Sequence, residues 1–185
     1  KQLLKPANQN NEADQEDTVS DVQKSPYGSV LVVQQLPALD QPVKATVNRL
    51  SREYTSANHS ATHLLQAALI KVLGPHVAQK GSLVNQDYLR FDFAHFEAMT
   101  KQQLIDVQAL VNEKIRASIS LEEDREIPIL QAKERGARML FGEKYGDKVR
   151  VISFDSDYSM ELCGGTHVQN TCLLYTSDAA DELSR

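Results

Sequence analysis

The sequence predicts an α+β fold, a mostly antiparallel sheet with packed helices, on three observations. Apolar residues recur at helical spacing over about 56–73 and again over 104–119. Short alternating runs joined by turn residues read as hairpins. Helices and hairpins follow one another in mixed order, which is the pattern of an α+β domain. The 185 residues suit one domain or one domain with an appended piece, and 41% hydrophobic content excludes wholesale disorder. A net charge of −5 excludes a strongly basic nucleic-acid binder while leaving room for a local basic patch. Two cysteines form no disulfide framework, which points to a reducing compartment. No apolar run approaches the roughly 20 residues of a membrane-spanning helix. The chain opens on Lys1 with no apolar signal segment after it, so an interior piece of a longer chain is expected.

Taken in order, residues 1–27 are polar and rich in Asn, Gln, Asp and Glu, and read as a linker or loop. GSVLVVQQLP (28–37) and VKATVNRL (43–50) read as strands closing a preceding β-rich subdomain, joined across Pro37 to Pro42. A helix is predicted over 56–73, capped by Ser56 or Asn58 and stopped by Gly74-Pro75. Its apolar arc is Ala61, Leu64, Leu65, Ala68, Val72 and Leu73. His59, His63 and Gln66 fall on the opposite side with Thr62 beside them, which argues against core burial. GSLV (81–84), Asn85-Gln86-Asp87 and YLRFDFAHF (88–96) form a hairpin, with Leu89, Phe91, Phe93 and His95 on one face. Thr100 and Gln103 make a capping box for a helix whose core side is Leu104, Val107, Val111, Ile115 and Ile119. Pro128 opens a third helix that ends near Gly136. The strand 149–154 then turns through Asp155-Ser156-Asp157 into 158–168.

Chemistry concentrates in two places. In His59-Ser-Ala-Thr-His63, histidines at i and i+4 project side by side from a helix, so both imidazoles reach one metal ion. In Cys163-Gly164-Gly165-Thr166-His167, two glycines permit a tight turn bringing thiolate and imidazole together. Three His and one Cys make a zinc environment, set between a helix and a Gly-Gly turn. Four protein donors usually mark a structural zinc, whereas a catalytic one keeps a position open, and spacing leaves both readings standing. His76 and His95 read as loop and core residues. Lys80, Arg90, Lys144, Lys148 and Arg150 are candidate contacts for a nucleic-acid backbone against a default of solvated surface charge.

The segments NHSATHLLQAAL (58–69), VAQKGSLV (77–84), LRFDFAHFEAMT (89–100), LFGEKYGDKVRV (140–151) and MELCGGTHV (160–168) resemble, in order, the editing domain of alanyl-tRNA synthetase. The resemblance runs from about Gly28 to Thr171. The threonyl-tRNA synthetase editing domain and freestanding alanyl-tRNA editing proteins are related, and CGGTH with RFDF sides with the alanyl branch. The resemblance implies hydrolysis of a serine or glycine ester on the acceptor end of tRNA(Ala), in the cytoplasm and away from membranes. It implies one zinc ion held by His59, His63, Cys163 and His167, with Thr62 meeting the serine hydroxyl and Gln79 lining the pocket. The parent enzyme attaches alanine to tRNA(Ala), and its ATP and magnesium belong to an aminoacylation module absent here. No Ser-His-Asp or Cys-His nucleophile competes, because the sole Cys of the matched stretch is assigned to metal.

These readings divide the chain into a linker (1–27), the end of a β-rich subdomain (28–50), a zinc-dependent editing domain (51–171, truncated at its C-terminus) and a non-native tail (172–185). The tail, CLLYTSDAADELSR, resembles translated sequencing-adapter read-through. The first 28 residues hold three basic and five acidic groups, and 172–185 hold one and three. The matched core therefore keeps 16 basic and 17 acidic residues, near neutrality. A freestanding trans-editing deacylase and a non-catalytic zinc-stabilised tRNA-binding module are the alternatives.

Overall fold

The computed structural model describes residues 2–6, 17–36, 43–139 and 145–174. The fold is α+β with antiparallel strand pairing throughout the named sheets, and it divides into two compact units, 1–52 and 53–185.

In the first unit, β1 (Gln2–Pro6) lies between β2 (Asp17–Val19) and β5 (Val43–Val47), while β3 (Asp21–Ser25) and β4 (Gly28–Val32) form a hairpin. The predicted linker over 1–27 is thus replaced in part by three strands. Composition misleads here because the strand residues whose burial is described are mostly exposed: Val22 and Val30 are 48% and 49% exposed, and among them only Val19 is buried. Such strands are held by ladder hydrogen bonds, which any sequence supplies. The connection from Pro37 to Pro42 lies outside the described residues.

Helix α1 runs from Arg49 to Leu73, starting before the predicted Ser56. Asn48 is the cap, its Oδ1 accepting the Ser51 amide at 3.0 Å. Gly74, at φ +112°, ends the helix and donates to the Ile70 carbonyl at 2.9 Å. In the second unit β6 (Ala78–Val84) and β7 (Leu89–Ala94) make the expected hairpin, with Asn85 Oδ1 accepting the Asp87 and Tyr88 amides. A bulge between Gln79 and Gly81 puts both Gln79 and Ser82 opposite the phenylalanines of β7. Helix α2 (Lys101–Arg116) carries the predicted capping box and buries Val107, Val111 and Ile115.

Strand β8 (Glu122–Pro128) has no counterpart in the sequence reading; α3 (Ile129–Glu134) follows it and is closed by Gly136 at φ +80°. Strands β9 (Lys148–Phe154) and β10 (Ser159–Leu162) complete a sheet of order β10-β9-β8. A 3-10 turn, Thr171–Leu174, carries the chain back to α2, where Thr171 Oγ1 accepts the Ile119 amide and donates to the Lys114 carbonyl.

The main core joins the apolar arc of α1 (Ala61, Leu64, Ala68) to α2, Ile152 and Phe154 of β9, and Leu174. A smaller cluster gathers Ala132, Ala137, Val149, Val151 and Leu162 under α3. Among the described residues no helix is long and apolar enough to cross a membrane.

Candidate metal centre and its cavity

Helix α1 is buried on nearly all sides over Ser56–Leu69, which overturns the expectation that its histidine side faces away from the interior. His63 is 5% exposed, Thr62 4% and Gln66 8%. The helix is enclosed because its apolar arc meets the core while its polar arc forms the wall of a cavity. That cavity, of about 160 Å³, is lined by His59, Thr62, His63 and Gln66 from α1, Gln79 and Ser82 from β6, and Arg138, Met139, Glu161 and Leu162.

All four predicted ligands converge. Donor atoms of His59, His63, Cys163 and His167 lie within 4.8 Å of one another. Cys163 Sγ is 3.5 Å from His59 Nε2 and 3.3 Å from His167 Nε2. Tetrahedral zinc with bonds of about 2.1 Å to nitrogen and 2.3 Å to sulfur sets its donors about 3.3–3.6 Å apart. The three imidazoles and one thiol therefore fit a single zinc ion in both spacing and chemistry. Burial pushes the imidazoles toward the neutral, ligating form. His63 falls to about 3 and His167 to about 2, with the neighbouring histidines and Arg150 adding to the effect. His59 is lowered by burial as well, against a hydrogen bond at the Thr166 backbone.

The groups behind the ligands escaped sequence reasoning. Ser60 Oγ accepts the Val168 amide at 3.1 Å and stands 3.1 Å from His167 Nδ1, fixing that ring with Nε2 toward the cluster. Glu161 Oε2 is 3.5 Å from His63 Nδ1, at the long end of a polar contact. Burial raises the Glu161 carboxyl to about 8, against the Coulombic pull of Arg138, and lowers His63. Arg150, a candidate nucleic-acid contact, is engaged within the protein. Its Nη1 donates to the carbonyls of Cys163 (2.9 Å) and Gly165 (2.6 Å), and its Nε to Glu123, so it clamps the Gly-Gly turn. A β-carbon on Gly165 would stand 2.1 Å from His59 Cε1, whereas one on Gly164 meets nothing within 4 Å.

Thr62 and Gln79 both line the cavity, and Thr62 Oγ1 donates to the Asn58 carbonyl at 2.8 Å. Of the other predicted contacts, Arg90 pairs with Asp92 at 3.2 Å, Lys148 stands 3.7 Å from Glu126, Lys80 is exposed, and Lys144 lies outside the described residues. His76 and His95 are not part of the cluster; their rings approach at 2.8 Å and His76 stacks on Phe96.

Against known proteins, the family described as the threonyl and alanyl tRNA synthetase second additional domain matches residues 149–174. An alanine–tRNA ligase from Cytophaga hutchinsonii is 60% identical over 141 residues, covering 76% of this chain and 16% of that protein. Alanine–tRNA ligases from Bacteroides fragilis and Salinibacter ruber are 54% and 50% identical over 154 residues, covering 83% of this chain. The chain spans only 16 to 17% of the length of these curated relatives.

Proposed function

We infer that this chain, which belongs with the alanine–tRNA ligases as a segment of their editing region, hydrolyses seryl- and glycyl-tRNA(Ala). The observation that carries the reading is one cavity walled at once by His59 and His63 of the metal-type cluster and by Thr62 and Gln79. An alanine-activating site gains only about 1–3 kcal/mol from a single methyl and excludes an added hydroxyl imperfectly. A second, hydrolytic site that accepts the smaller or hydroxylated residue corrects both errors.

The residues suit that work. The Thr62 hydroxyl proton is engaged by the Asn58 carbonyl, so its lone pairs face the cavity as acceptors for a seryl hydroxyl. Gln79 supplies an amide donor and acceptor from the opposite wall, and the cavity has room for a small aminoacyl group. His59, His63, Cys163 and His167 would hold zinc, which supplies a Lewis acid able to polarise the ester carbonyl or lower the pKa of water. Ser60 holds the His167 imidazole in orientation, and Glu161 stands 3.5 Å behind His63 without a hydrogen bond to it. The parent ligase would join alanine to tRNA(Ala) with ATP and magnesium elsewhere in its length, in the cytoplasm where aminoacyl-tRNAs are used.

A second reading, a zinc-stabilised tRNA-binding module without catalysis, is favoured by the four protein donors, which fill a tetrahedron. Serine release from seryl-tRNA(Ala), followed for wild type and Cys163→Ala beside their zinc content, decides between them. The deacylase reading expects zinc and hydrolysis to fall together. Loss of zinc with hydrolysis intact removes the metal from the reaction, and a zinc-loaded wild type that releases no serine favours the binding module.

A further inference from the structure

We propose that Arg138 is an anion-binding residue at the cavity that takes a phosphodiester of the nucleotide carrying the aminoacyl ester. This rests on reading the cavity as the aminoacyl site. Arg138 lines that cavity beside His59, Thr62 and Gln79, and its residue is exposed. Its backbone is fixed: its amide donates to the Met160 carbonyl at 2.8 Å, its carbonyl accepts the Leu162 amide at 2.8 Å, and it bridges in parallel to Glu161. The side chain is anchored at its root, and no described residue makes a hydrogen bond or ion pair with the guanidinium, whose charge acts on Glu161 in the same cavity only at a distance.

The neighbouring cations are committed elsewhere. Arg150 holds the Gly-Gly turn and Glu123, Arg135 pairs with Asp124, Arg125 with Glu123, and Arg90 with Asp92. Glu161 shares the cavity and feels the Arg138 charge, but its Oε2 stands 3.5 Å from His63 Nδ1 and it makes no ion pair with Arg138. A planar fork of donors with no hydrogen bond or ion pair to any described residue, beside an ester-sized cavity, matches a phosphate oxygen pair. A charged aminoacyl-tRNA delivers such a phosphate one ribose away from its ester, where it would position the substrate without reading sequence. Arg138 appears nowhere among the cations that the sequence suggested, because nothing in AKERGARM marks it out.

The test compares the full 185-residue chain with Arg138→Gln and Arg138→Lys. Arg138→Gln is expected to raise KM for seryl-tRNA(Ala) by about five- to tenfold with kcat within about twofold. It should also reduce the slope of log KM against log salt by roughly 0.7, while Arg138→Lys restores the slope. The 3′-seryl ester of adenosine, which has no phosphate, should show no difference between the proteins. An unchanged KM and slope overturns the proposal, as does an equal loss on adenosine ester, which would place the guanidinium on the ester itself. A binding arm keeps this test apart from hydrolysis. An uncharged acceptor-stem RNA hairpin, with or without a methylphosphonate at its last linkage, is titrated by fluorescence anisotropy. The methylphosphonate should weaken wild type by a similar factor and leave Arg138→Gln unaffected. Equal weakening of both proteins overturns the proposal even if neither hydrolyses ester, whereas absent hydrolysis alone sinks only the deacylase reading.

Discussion

Gly164 and Gly165 are neighbours with opposite constraints. Gly165 has no room for a side chain because the His59 ring occupies the place of its β-carbon, while Gly164 faces open space without a left-handed backbone. Gly165→Ala should therefore displace His59 and lower zinc occupancy severalfold in a colorimetric release assay, and Gly164→Ala should keep wild-type occupancy. Ser60→Ala, which removes the hydroxyl 3.1 Å from His167 Nδ1, should weaken zinc binding by about 10–100-fold in a competition titration, as loss of a group orienting a ligating histidine does. The convergence of the four candidate ligands was legible at this scale, because helical i,i+4 spacing and a glycine turn are local geometry that numbering reveals. Ser60, Glu161 and Arg150 were not, since each acquires its role only when β9 and β10 are brought against α1 and the turn.

Elements were legible where they carry an apolar period or a cap. α2 follows its Thr100 box and its buried Val107, Val111 and Ile115 as read. β8 was illegible because Glu-Glu-Asp-Arg-Glu-Ile-Pro has no apolar alternation; pairing with β9 makes it a strand. α1 was read with the right period and the wrong surroundings, since a wheel shows which residues are apolar and not that the polar arc is enclosed too. The 3-10 turn runs past 172, where a foreign tail is expected to begin: the matched family extends to Leu174, whose side chain is fully buried in the main core. Leu174→Ala should then cost about 2–5 kcal/mol of unfolding free energy in urea. A side chain outside the folded unit would cost nothing.

For the molecule as a whole, acid sensitivity has an identifiable source. Lys114 Nζ lies 2.8 Å from Asp155 Oδ2, tying α2 to the turn between β9 and β10, and this hydrogen bond holds the Asp155 carboxyl below its usual range. A carboxyl depressed in the folded state contributes stability above its unfolded pKa and loses it as pH falls through the folded value. Asp155→Asn suits the left-handed φ of +67° there and retains a turn acceptor, so it should flatten the acid limb of melting temperature against pH while leaving the shape at neutral pH.

The distance along the chain between the two halves of the metal centre has a consequence in time. His59 and Cys163 are 104 positions apart. At a synthesis rate of about 5–20 residues per second, the helical histidines are made roughly 5–20 s before their thiolate partner leaves the ribosome. During that interval the nascent chain offers a bare pair of imidazoles to any passing metal, and a ribosome that stalls within it leaves a protein with half a site. Once the turn arrives, a metal ion held by the four residues would close one long loop in a single step, as a cross-link would, and loop-closure entropy makes such a closure worth more the longer the loop.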